Sequence, residues 1–208
     1  MPSDAGPAAP PLPLILASRS TGRAAVLRQA RVPVEVVPAG VDEAAVKAAM
    51  LAQAAPPRDV ADALAELKAH RVATRYPDRL VLGADQVLVC GGRVHDKPRD
   101  LAEARVQLAA LRGQRHELLS AAVVFENAAP AWRHIGRAAL TMRPFSDAFL
   151  DAYIDEQGPE LLTTVGAYRL ESGGAQLFAR VEGDIFTIIG LPLLELLAFL
   201  RTRGVCRE

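Results

Sequence analysis

The stretch GADQVLVCGGRVHDKP, residues 83–98, puts a carboxylate, Asp85, and an ammonium, Lys97, where two short β segments fold back on each other. A carboxylate and an ammonium brought together there could grip a metal ion and a phosphate. Val87 to Val89 are β-branched or apolar enough for a strand, and Gly91-Gly92 supplies the positive φ angles that a tight hairpin needs. Asp85 is expected near the start of that strand and Lys97 at the end of the returning one. A two-residue Gly-Gly loop pairs Gln86 with Lys97, whereas a three-residue loop from Cys90 to Gly92 pairs Asp85 with Lys97; the residues alone permit both. Taken alone, Asp85 and Lys97 read better as a surface ion pair, which contributes little stability.

A second group lies at the start of the chain. In ASRSTGR, Ser18, Arg19, Ser20, Thr21, Gly22 and Arg23 stand at a strand-to-helix junction, where free N–H groups and the helix dipole favour an anion such as phosphate. Helix capping by Ser20 or Thr21 explains the same residues more simply. Asp42, Glu43 and Asp85 offer hard oxygen ligands that two at a time could hold Mg²⁺, although Asp42 reads first as a helix cap. Lys68 shares a helix with Leu64, Leu67 and Val72, where a solvated lysine is the default expectation.

Other chemistries are excluded by pattern. The chain has neither GxxxxGK[ST] nor GxGxxG, so the commonest nucleotide-binding loops are absent. His70, His95, His116 and His134 show no metal-ligand spacing, and no GxSxG elbow exists for a serine nucleophile. Cys90 and Cys206 lie far apart and read as free thiols in a reducing compartment.

The elements that must position these groups follow from periodicity. LPLILAS reads as a buried strand leading into a helix from Ser20 to Arg31, and VEVVPAG as a second strand. Asp42 caps a helix through Met50, and a longer helix runs from Pro57 or Arg58 to about Tyr76. Beyond the hairpin, Asp100 caps LAEARVQLAALRG, closed by Gly113; two long strands joined through Asn127 to Pro130 come next, then a helix from Ser146 to Gln157. GAYRLESGGAQ connects to the short apolar pieces LFARV and IFTIIG, and Pro192 opens a last helix ending near Arg203. The central hairpin breaks a purely parallel pattern, so the fold class is α/β with a mixed β-sheet flanked by helices.

Composition narrows the partners. With 24 Lys plus Arg against 24 Asp plus Glu in 208 residues, no global field recruits nucleic acid or an anionic membrane. A small anionic ligand fits better. The run around Leu191 to Leu200 contains Pro192 and Glu195 and is too short to span a bilayer. Residues 1–11 are expected to form a disordered Pro/Ala-rich tail without the pattern of a secretory signal, and 12–208 a single domain; the expected location is cytoplasmic.

In order and spacing, LASRSTGR, VDE at Val41 to Glu43, Lys68 in ELKA, GADQV, HDKPRD, GAYRLESGG and EGDIFTIIGLPL resemble the Maf family of nucleoside triphosphate pyrophosphatases. The resemblance covers nearly the whole chain after the tail. It implies an elongated, two-lobed Maf/ITPase-like architecture with a central cleft, often a homodimer, that hydrolyses nucleoside triphosphates to monophosphate and pyrophosphate with Mg²⁺ or Mn²⁺. It makes Asp85 the general base, with Lys97 and Glu43 also catalytic and Glu43 and Asp85 the metal ligands. Lys68, Lys97 and Arg23 would hold phosphates, and Ser20 would bind an oxygen. Gly22 stands where the family often has a bulky or basic side chain. Gln86 and Glu171 resemble the branch that acts on N7-methyl-GTP, whereas Thr and Gln there would resemble the dTTP/UTP branch. A regulatory nucleotide-binding protein linked to septum formation is the alternative of a different class.

Overall fold

The computed structural model describes residues 12–207, and the expected tail at 1–11 lies outside them. The chain runs β1 (Leu14–Leu16), α1 (Thr21–Gln29), β2 (Val34–Val36), α2 (Glu43–Ala52), α3 (Pro57–Ala73), β3 (Val81–Cys90), β4 (Arg93–His95), α4 (Leu101–Leu111), β5 (Arg115–Glu126), β6 (Ala129–Met142), α5 (Asp147–Gln157), β7 (Phe178–Glu182), α6 (Ile185–Ile189) and α7 (Leu193–Arg201). The strands form one mixed sheet in the order β2-β1-β3-β5-β6-β7, with β4 also on β3. Helical crossovers make β2, β1 and β3 parallel, since a parallel neighbour cannot be reached by a tight turn. The remaining pairs are antiparallel; two of them, β3 with β4 and β5 with β6, close through the two-residue turns Gly91-Gly92 and Asn127-Ala128, whose residues all have positive φ.

The hairpin takes the two-residue register, Leu88 opposite His95 and Cys90 opposite Arg93. Two expectations need correction. Asp85 lies in the middle of β3, and β4 stops at His95, so Lys97 sits beyond the returning strand and not at its end. The early part of β3 pairs with β1 at Val81 and Leu82, whereas its later part pairs with β4 from Leu88. Asp85 therefore lies at a fork, where the edge of β3 passes from one neighbour to the other.

Strand alternation assigns the faces. Leu82 and Ala84 join Leu14, Leu16, Leu27, Leu196 and Leu200 in a core under α1 and α7. Val81 and Val87 join Ile15, Leu64 and Val72 in a core under α3. A third core, with Leu108, Leu111, Leu118, Leu140, Leu150 and Tyr168, occupies the other end of the sheet under α4 and α5. The short apolar pieces near the C-terminus resolve into β7 and the five-residue helix α6. Among the described residues, no helix is long and apolar enough to cross a membrane.

Candidate active site

At the N-terminus of α1, Ser20 is the N-cap: its Oγ accepts the Arg23 N–H at 3.2 Å, and its own N–H donates to Ser18 Oγ at 3.1 Å. The capping role foreseen for Ser20 is therefore present, and the first amides of α1 beyond it lack partners within the helix. Arg23, in the first turn, is buried. Its Nε donates to the Gly190 carbonyl at 2.7 Å and its Nη1 to Ser18 Oγ at 3.3 Å. Gly190 ends α6 with φ of 112°, and a Cβ there would lie 3.3 Å from the guanidinium, so glycine serves both the turn and the close approach. Burial lowers the Arg23 pKa, and the charges of Asp85 and Glu43 pull it back up.

The centre of the site is Lys68. It is 5% exposed, contrary to the solvated lysine expected from its helix, and its Nζ lies 2.6 Å from Asp85 Oδ1 and 2.8 Å from Glu43 Oε2. Asp85 points to the α3 face of the sheet together with Gly83, whose Cα side meets the Ala65 and Ala69 backbone directly. Glu43 comes from the first turn of α2, where Asp42 caps the helix by accepting the Ala45 N–H at 3.1 Å. One ammonium thus holds a buried carboxylate from the sheet and a solvent-facing carboxylate from a helix.

A cavity of about 360 Å³ opens beside this triad, lined by Ser18, Arg19, Val41, Asp42, Glu43 and Lys68 among others. Lys97 completes the charged cluster from the β4–α4 linker. Desolvation lowers its pKa, the cations Arg23 and Lys68 lower it further, and Glu43 and Asp85 oppose them. Arg23, Glu43, Lys68, Asp85 and Lys97 are therefore brought into one electrostatic unit from five separate segments.

Three anticipated residues lie apart from it. Gln86 follows Asp85 and so points to the opposite face, where its Nε2 donates to Ser120 Oγ and to the Thr187 and Ile188 carbonyls at 2.9 to 3.1 Å. It braces α6, and Gly190, which caps the C-terminus of that helix, in turn holds Arg23. Gly22 faces α6 as well, with Ile189 Cγ2 3.3 Å from where its Cβ would be. Glu171 pairs with Arg169 at 3.1 Å, and Arg169 also meets Glu160 at 2.8 Å.

Among the described residues, no group of three or more His, Cys, Asp or Glu could hold a metal by itself. Glu43 and Asp85 form a pair of hard oxygen donors, which suits an ion that completes its shell with water and phosphate oxygens. The residues missed by sequence reasoning are Lys47, one helical turn after Glu43, and Gly190, whose carbonyl orients Arg23. The i, i+4 spacing from Glu43 was the available signal for the first.

Residues 13–203 match a family model described as Maf-like protein. The chain belongs to the Maf-like protein family. Relatives of this Maf-like chain include a nucleoside triphosphate pyrophosphatase of Caulobacter vibrioides, 54% identical over 192 residues, covering 92% of this chain and 96% of the relative. A protein of the same name from Ruegeria pomeroyi is 50% identical over 194 residues, covering 93% and 98%. A 7-methyl-GTP pyrophosphatase of Rhizobium meliloti is 49% identical over 191 residues, covering 92% and 96%.

Proposed function

We propose that this Maf-like chain hydrolyses nucleoside triphosphates to the monophosphate and pyrophosphate, with N7-methylated guanine as the favoured base. The observation that carries the reading is the Lys68 ammonium shared by Asp85 and Glu43 beside a polar cavity, with buried Arg23 behind it. Attack by water forms a new bond to the α-phosphorus and breaks the bridge to the β-phosphate. Asp85 takes up the proton of the attacking water. Arg23, Lys68 and Lys97 meet the charge that accumulates on the departing pyrophosphate, and the α1 amides receive a phosphate oxygen. Glu43 and Asp85 would hold a Mg²⁺ or Mn²⁺ ion, which supplies charge neutralisation across the phosphate oxygens when bound.

The base preference rests on charge. Arg169 is shared between Glu160 and Glu171, so this cluster keeps a surplus negative charge, favourable to a base made cationic by N7-methylation. The name of the Rhizobium meliloti relative supports the same direction.

The test is pyrophosphate release from UTP, dTTP, GTP and N7-methyl-GTP with Mg²⁺ or Mn²⁺, comparing wild type with Asp85→Asn. The substitution is expected to lower turnover by about 10²- to 10⁴-fold on every substrate. Nucleotide binding without turnover in the wild type would overturn the enzymatic reading. A preference for UTP over the guanine nucleotides would overturn the base assignment alone.

A further inference from the structure

Helix α2 carries Glu43, yet none of its ten residues is buried. Gly40 before it and Ala54 after it both have positive φ, so the backbone reverses sharply at either end. Val46 and Met50 rest, half-buried, on the core under α3. Beyond that apolar footing, two ion pairs tie the helix to the body of the protein. One is Glu43 with Lys68; the other is Lys47 Nζ with Asp96 Oδ1 at 2.5 Å.

Lys47 follows Glu43 by one turn and shares its face of α2. Its side chain is only 12% exposed, while Asp96 is 77% exposed. Asp96 stands directly before Lys97, and its carbonyl accepts the Gln107 Nε2 of α4 at 2.8 Å, so its backbone is tied to a packed helix. The lightly anchored helix that presents Glu43 is thus pinned to the segment that presents Lys97.

We propose that the Lys47–Asp96 pair is a clasp that fixes Glu43 and Lys97 relative to each other, making Lys47 and Asp96 positioning residues for hydrolysis. The proposal rests on the reading of Glu43 and Lys97 given above. Neither clasp residue needs to touch the substrate: loss of the pair lets α2 shift on its two positive-φ ends, and the Glu43 carboxylate leaves its place beside Asp85. The Asp96 end of the pair is open to solvent, so its effect is modest, about two- to fivefold in an equilibrium.

The experiment compares Lys47→Ala, Asp96→Asn and the exchanged double variant Lys47→Asp with Asp96→Lys. Turnover and KM are measured by pyrophosphate release, and amide hydrogen exchange is followed over residues 43–52. Each single substitution is expected to lower kcat by about two- to fivefold and to speed exchange in α2 by a similar factor, with β3 and β5 unchanged. The exchanged variant is expected to recover both. Wild-type kcat with unchanged α2 exchange in the single variants would overturn the clasp, as would an exchanged variant no better than either single. Glu43→Gln separates the two readings. If it keeps wild-type turnover, the role of Glu43 fails and the clasp with it; if it loses turnover while the single clasp variants do not, the clasp alone fails.

Discussion

Lys68 makes the local electrostatics intelligible: its buried ammonium is held by two carboxylates, and removing it would leave buried Asp85 without its hydrogen-bonded cation. Breaking a buried pair from one side costs more than the pair contributes, about 3 to 5 kcal/mol. Lys68→Met keeps the length of the side chain and removes the charge. It is expected to lower the urea midpoint and to reduce pyrophosphate release by about 10²- to 10³-fold. If stability falls while turnover persists, Lys68 is an anchor for Asp85 and not a phosphate contact. Lys97 gives a pH signature of its own. Its pKa is depressed by desolvation and by the neighbouring Arg23 and Lys68 charges, so raising the pH strips its proton sooner than from a free lysine. The alkaline fall in kcat/KM is therefore expected below the ordinary lysine range, and Lys97→Arg should move that limb upward, since guanidinium keeps its charge.

At the scale of elements, position along β3 decides function by parity. Asp85 and Gln86 are adjacent in sequence and serve opposite faces, one held by α3 and the other holding α6. The helix-to-strand contact that brings Lys68 over Asp85 depends on Gly83: a Cβ there would lie 2.0 Å from the Ala65 carbonyl oxygen and 2.6 Å from the Ala69 nitrogen. Gly83→Ala is expected to push α3 away, lowering stability by about 3 kcal/mol in a denaturation experiment and lowering turnover with it. Much of this was legible before any coordinates. The caps at Ser20, Asp42, Asp100 and Ser146 are where their side-chain chemistry places them, and the two glycines define the hairpin. What could not be read were the consequences of tertiary pairing. Hairpin register depends on which glycine geometry closes the loop, and α6, with five residues, is too short for a helical period to emerge from IFTIIG. The buried state of Lys68 depends on Asp85 and Glu43 arriving from elsewhere, which no local pattern on α3 records.

Across the molecule, β3, β5 and β6 connect the cores on the two faces near β1 to the third core under α4 and α5. That third core contains a titratable group with no part in the proposed chemistry. His116 on β5 is buried; its Nε2 lies 2.7 Å from the Tyr168 hydroxyl, and its ring packs beside Phe178. Burial, with a smaller contribution from nearby His95, pushes its pKa down from 6.5 to about 4. Between those two values the unfolded chain binds a proton that the folded chain refuses. Stability is therefore present in full above about pH 6.5 and is lost as the pH falls toward 4, by on the order of 3 kcal/mol for this residue. His116→Gln keeps a hydrogen-bonding group for Tyr168 and does not titrate in this range. Urea unfolding at a series of pH values should show a flatter acid slope in the variant than in the wild type, even where the variant is less stable at neutral pH. Equal slopes would mean that the protonated imidazole is accommodated in the core, with the Tyr168 contact rearranged to accept it.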